Sequence, residues 1–166
     1  MDFTNRVCQV LHDEHRATVA LMERLEQLIV RRRDSPPDAK DQIIARLLSD
    51  LSNGIESEVQ RHFTFEEEHL FTYLVSIGDD SISAHLTGEH KVILPIGERI
   101  AKLARRAMAQ GFDNATWDEF RRSGQELCER MLAHVQKEEM ALLPLLEENM
   151  DAEIEMRLFQ EYAENV

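Results

Sequence analysis

Residues 62–74 read HFTFEEEHLFTYL, and residues 134–146 read HVQKEEMALLPLL. At an offset of 72 they agree at five positions, in the pattern His-x-x-x-Glu-Glu-x-x-Leu-x-x-x-Leu. Residues four apart on an α-helix lie on one face, about 40° apart in angle and one turn along the axis. Each segment therefore reads as a helix that aims a His and a Glu at one spot, His62 with Glu66 and His134 with Glu138. A second repetition lies upstream of each. Residues 11–25 (LHDEHRATVALMERL) and 86–100 (LTGEHKVILPIGERI) share five of fifteen positions at an offset of 75, and the register sets His15 against His90. The chain thus divides into two similar halves, each with one lone His and one His-x-x-x-Glu.

Two helix pairs predict four long helices, and the punctuation of the sequence agrees. Glycine (6) and proline (4) are scarce, and no segment alternates apolar and polar residues long enough for a strand. The first helix is expected over about 4–33, with Val7, Leu11, Leu21, Leu25 and Leu28 at helical spacing and the basic run 31–33 at its C-terminus. The second begins at Pro37 or Asp38 and reaches about Ile77, with Ser52-Asn53-Gly54 as a weak point and Gly78 as its stop. The third follows Asp79-Asp80-Ser81 and runs to about Gln110, where Gly111 ends it; Pro95 should kink or split it. The fourth starts after Asn114 or Thr116 and ends near Leu146, with Pro144 in its last turns, and a short fifth spans about 152–163. The expected fold is all-α, an up-down four-helix bundle with a short C-terminal fifth helix, as a single domain over 1–166.

Charge narrows the function. With 32 Asp+Glu against 19 Lys+Arg, the net charge of −13 disfavours nucleic acid and anionic membrane surfaces as partners. No stretch approaches the roughly 18 apolar residues of a membrane span, and the opening MDFTNRVCQVLHDEHR has no apolar signal core, so a cytoplasmic location is expected. Two cysteines, Cys8 and Cys128, make neither a disulfide framework nor a CxxC pair and read as small buried hydrophobes.

The repeated polar residues sit among apolar ones. Leu11, His15 and Met22 share a face, as do Val59, His62, Phe63, Glu66 and Leu70, and again Leu127, Met131, His134 and Glu138. Burying two carboxylates and four imidazoles is costly without compensation. A pair of divalent ions supplies it, since a carboxylate can bridge two ions while each His binds one. Six nitrogen and oxygen donors without a thiolate suit iron or manganese better than structural zinc. A single His-x-x-x-Glu is ordinarily an exposed i,i+4 pair; two copies, each with a duplicated lone His, weigh against that reading here.

At these residues the sequence resembles the hemerythrin-like family of HHE cation-binding domains, across essentially the whole chain. The resemblance implies a four-helix bundle with His15, His62, Glu66, His90, His134 and Glu138 as metal ligands, Glu66 and Glu138 bridging. It implies two iron ions as cofactor, with Mn or Zn possible, an oxo or hydroxo bridge, and an open position for O2 or NO. The oxygen-carrying members have a fifth His four residues before the third-helix ligand, where this chain has Leu86. His85, five residues before His90, is rotated by about 140° and should point elsewhere. The four-His, two-Glu set is more similar to the branch linked to NO response, iron–sulfur cluster repair and redox sensing, although the cysteine-bearing N-terminal domain of the repair proteins is missing from the sequence.

Other residues are less decided. His69, seven after His62, reads as a fifth ligand, as a group orienting Glu66, or, somewhat in preference, as a half-buried or exposed His. His12 should be solvated beside Arg16 and Glu23. Glu14 with Glu89, and Glu67 with Glu139, repeat between the halves and could serve the site or merely the surface. Tyr73 edges the site or packs, packing being preferred. The expected function is a non-haem di-iron protein that binds or senses O2, NO or peroxide, acting through a protein partner or as a homodimer. The alternatives are a di-iron redox enzyme or iron donor, and a metal-free helical interaction module.

Overall fold

Asn5 opens the first helix. Its side-chain oxygen accepts hydrogen bonds from the amides of Val7 (2.9 Å) and Cys8 (3.2 Å), so the N-terminal amides of α1 (Arg6–Arg31) are satisfied. Helix α2 (42–76) is capped in the same way by Asp41, on the amides of Ile43 and Ile44. That cap puts its start five residues after Pro37, later than the sequence predicts, because Asp38 spends its carboxylate on the Lys40 amide in a turn. Helix α3 spans Ser81–Gln110, α4 spans 114–149 from a capping box of Asp113 and Thr116, and α5 is Ala152–Glu164. The structure, a computed structural model, describes residues 2–164, and among these there is no strand. Gly78 (φ +91°) and Gly111 (φ +76°) end α2 and α3 in the left-handed region that favours glycine.

The four long helices form the expected up-down bundle. Helix α1 packs chiefly on α4, α2 on α3, and α3 on α4, while the seam between α1 and α2 is thinner. Pro95 does not split α3, which stays one helix through it. The proline is exposed, so the carbonyl of Lys91 that loses its amide partner lies on the solvent side. Gly54 does not break α2 either. The hydrogen-bond spacing there widens to the π pattern over Gly54–Val59, and it widens again over Glu66–Leu70; α4 does so over Glu138–Leu142.

The last two π turns occupy equivalent places in the two halves, each opening on the Glu of His-x-x-x-Glu. The residue six places after each Glu, Thr72 or Pro144, is the α-helical partner of the carbonyl at the same position in each half, residue 68 or 140. Thr72 takes the first, its hydroxyl donating to Glu68 O at 2.9 Å. Pro144 stands at the second, with no amide to give, and the wide turn lets α4 continue past it to Asn149 instead of ending near Leu146.

The buried apolar residues fall into two clusters. One holds Met22, Leu25, Leu48, Leu51, Ile100, Trp117, Phe120 and Leu127; the other holds Val7, Leu11, Phe65, Leu70, Leu74, Leu86, Leu142 and Leu146. Between them lies a polar layer. His15 sits between Leu11 of one cluster and Met22 of the other, and His90 between Leu86 and Ile93. No helix among the described residues is long and apolar enough to cross a membrane.

Candidate metal centre

All six residues singled out by the duplication meet in that layer, and all are buried: His15, His62, Glu66, His90, His134 and Glu138. They form two groups able to hold a metal ion, His15 and His62 with both glutamates, and His90 and His134 with the same two glutamates. In each group the donor atoms lie within 4.8 Å of one another. Each helix pair thus supplies the imidazoles of one group, and the carboxylates belong to both.

The carboxylates are oriented for sharing. Glu66 Oε1 lies 2.9 Å from His62 Nε2, and its Oε2 lies 3.2 Å from His90 Nε2. Glu138 Oε2 lies 2.7 Å from His15 Nε2 and 3.6 Å from His62 Nε2, while its Oε1 faces His134 and His90. Each carboxylate therefore presents one oxygen to each His pair. Neither oxygen of Glu66, nor Oε1 of Glu138, accepts a well-formed hydrogen bond, although both side chains are fully buried. Anionic oxygens buried without well-formed hydrogen bonds are expensive, and a cation between the imidazoles is the partner such a donor set fits.

Behind each of the four imidazoles stands a further carboxylate, hydrogen-bonded at three of them, while His90 Nδ1 has Glu67 within ion-pair range without a hydrogen bond. Nδ1 of His15 faces Glu139 at 2.6 Å, that of His62 faces Glu14 at 2.6 Å, that of His134 faces Glu89 at 2.9 Å, and that of His90 faces Glu67 at 3.5 Å. A carboxylate at Nδ1 fixes the tautomer and turns Nε2 toward the centre. These are the repeated glutamates of the sequence, and the duplication maps one set of pairs onto the other. Glu14 with His62 becomes Glu89 with His134, and Glu139 with His15 becomes Glu67 with His90. Two of the pairs stay within a half of the chain and two cross between halves.

Charge balance in the absence of metal follows. Burial alone would lower the His15 and His90 pKa values, but the facing carboxylates, Glu138 and Glu139 at His15 and Glu138 and Glu66 at His90, outweigh it and raise both to about 9. His62 is likewise raised well above its ordinary value, burial being overcome by Glu66, Glu138 and Glu14. Burial opposes ionisation of Glu138, yet its four histidine partners hold it well below the usual carboxylate range. The carboxylates around them thus favour the protonated forms of His15, His62 and His90.

A cavity of about 360 Å³ opens at the thin α1–α2 seam and reaches His15, His62, His134 and Glu138. Its walls include Val10, Val59, Phe63, Met131 and Val135. Phe63 stacks flat on His90, ring centres 3.8 Å apart and planes 7° apart, which covers that imidazole with an apolar face. At the mouth stands Tyr162 of α5, its hydroxyl bonded to Glu14 and its ring 5.4 Å from the Arg61 guanidinium. Burial and the neighbouring Glu14 push the Tyr162 phenol up to about 12, so it donates to that carboxylate.

Other sequence candidates lie outside. His69 packs against Phe65, ring centres 5.3 Å apart, because the π turn that begins at Glu66 rotates it off the face of His62. His85 is exposed and meets Lys137 and Glu89 at the surface, and Leu86 is buried in the apolar cluster. Tyr73 packs, donating to Asn149 O at 2.9 Å. The two thiols are buried in separate clusters and burial raises both to about 12. His12 corrects the sequence reading: instead of being solvated it faces Glu139 at 2.8 Å, because α4 brings that carboxylate against α1. Tyr162 and Arg61 carry no signal in the sequence, since neither belongs to the duplicated motifs; the four outer glutamates did, through their repetition.

No curated protein matches the sequence significantly. The family model of the hemerythrin HHE cation binding domain matches residues 7–146, which takes in α1 through most of α4 and every residue of the His/Glu layer. The chain therefore belongs to the hemerythrin HHE cation-binding domain family.

Proposed function

We propose that this protein is a non-haem di-iron protein that binds or senses a small gas or oxidant, O2, NO or peroxide. The observation that carries the reading is the pair of buried carboxylates, each offering one oxygen to His15 with His62 and the other to His90 with His134. His15 and His62 would hold one ion, His90 and His134 the other, with Glu66 and Glu138 between them. The donors are nitrogen and oxygen throughout, which favours iron or manganese over a sulfur-rich structural zinc site. Iron would supply one-electron chemistry and positions free for a small molecule. The protein's part is to fix the imidazoles through their Nδ1 carboxylates and to line the approach to the centre with the apolar side chains of Phe63, Met131 and Val135. The cavity, about 360 Å³ and reaching His15, His62 and Glu138, gives a diatomic molecule or peroxide a path to the centre. A sensor of this kind acts through a protein partner or a second copy of itself.

The test is metal content per chain on protein purified without a metal-affinity tag, read with its near-ultraviolet spectrum. About two irons per chain with oxo-bridge absorption support the proposal. No uptake after anaerobic reconstitution with ferrous iron overturns it. Consumption of many equivalents of NO or peroxide per chain would replace the sensor with an enzyme built on the same centre.

A further inference from the structure

The two halves of the chain match in their imidazoles, shared carboxylates and outer glutamates, yet they differ one step further out. Glu89, behind His134, is met by Lys137 of α4 at the more extensively packed α3–α4 seam, where a surface hollow touches Glu89 and Lys137 but none of the six central residues. Its twin Glu14, behind His62, lies at the thinner α1–α2 seam where the cavity opens, and is met by Tyr162 and Arg61. Tyr162 comes from α5, which contributes nothing to the six central residues. That helix is fastened to the N-terminal part of α1 by Arg6, which bonds Glu155 at 2.9 Å and lies over the Phe159 ring at 4.6 Å, and by buried Leu158. The result is to hold the Tyr162 hydroxyl on Glu14 and its ring in the cavity mouth, edge-on to Phe65 at 5.4 Å.

We propose that Tyr162 is a positioning residue for the His15–His62 half of the centre, acting through Glu14 on His62 and closing the cavity mouth, so that α5 controls how readily that half exchanges its metal. This rests on the two-metal reading above. The Nδ1 partner of a metal-binding imidazole sets its orientation and basicity, and a group that fixes that partner acts on the metal at one remove. The halves are then unequal although their six central side chains are equivalent.

The test uses cobalt(II) alone as the probe, loaded into the full chain, with excess chromogenic chelator to extract it. Tyr162→Phe keeps the ring against Phe65 and Arg61 and removes only the hydroxyl. One of two cobalt ions is expected to leave about tenfold faster than in the parent protein, with a matching change in the visible cobalt spectrum. Glu14→Gln should accelerate the same ion, and adding Tyr162→Phe to it should change nothing further. Parent rates and spectrum in Tyr162→Phe overturn the proposal, and so does equal acceleration of both ions, which marks general loosening. Parent protein that takes up fewer than two cobalt ions instead removes the two-metal reading.

Discussion

Glu139 is partly exposed and touches no central group except His15, yet the metal should depend on it. Its carboxylate holds His15 Nδ1 at 2.6 Å and is itself met by His12. Glu139→Gln is expected to keep the fold and weaken metal affinity about 10–100-fold, as outer partners of metal imidazoles generally do; unchanged affinity in a competition titration would rule out that role. The imidazoles also make a pH prediction for the metal-free protein. His15 and His90, raised to about 9 in the folded state, stabilise it fully below their unfolded value near 6.5. That contribution disappears as pH rises through 9, whereas the lowered Glu138 is lost as pH falls through the acid range. The melting temperature of chelated protein should therefore fall between pH 6.5 and 9. Metal affinity should run the other way, rising over the same window, because each bound ion displaces protons from Nε2. A chelated protein equally stable at both pH values would contradict the charge pattern. Of these residues the sequence disclosed the central six, because duplication on apolar faces is visible in one dimension. Tyr162 was hidden, since a side chain that reaches Glu14 from 148 positions away has no periodicity to betray it.

Helices α1 and α4 pack closely at Gly124. A Cβ at Gly124 would stand 2.9 Å from Ile29 Cδ1 and 3.5 Å from both Leu25 methyl carbons. Gly124→Leu should push the helices apart and cost about 1–3 kcal/mol, while metal stoichiometry stays at two because the central layer lies elsewhere along α4. Thermal melts with metal analysis check both halves of that statement, and a loss of metal without a loss of stability would refute it. The helices themselves were legible from glycine, proline and apolar spacing to within a few residues at most ends. What was not legible was the π widening at Glu66 and Glu138, which keeps the i,i+4 spacing of His and Glu but shifts every later residue. A straight α-helix leaves His69 nearly on the face of His62, and the widened turn takes it away. Pro144 was the one local hint, a residue at odds with an α-helix that nonetheless continues past it.

For the molecule as a whole, a net charge of −13 sets a background of repulsion. Raising salt from about 10 mM to about 150 mM shortens the screening length from roughly 30 to 8 Å, so the metal-free protein should melt higher. Metal should raise the melting temperature further, in proportion to the logarithm of its free concentration, and a chelator should reverse it. A melting temperature indifferent to metal would contradict a site that binds ions preferentially in the folded chain. The crossing of Glu67 to His90 and of Glu139 to His15 has a consequence for how such a chain could arise and be taken apart. Each hairpin of two helices carries one imidazole whose outer carboxylate belongs to the other hairpin, so one hairpin alone is an unfinished half. The chain is in effect a tethered dimer, in which the turn after Gly78 replaces a binding equilibrium with a fixed high local concentration. Cut at that turn, the two fragments should regain metal only when mixed, and then with an affinity that depends on their concentration.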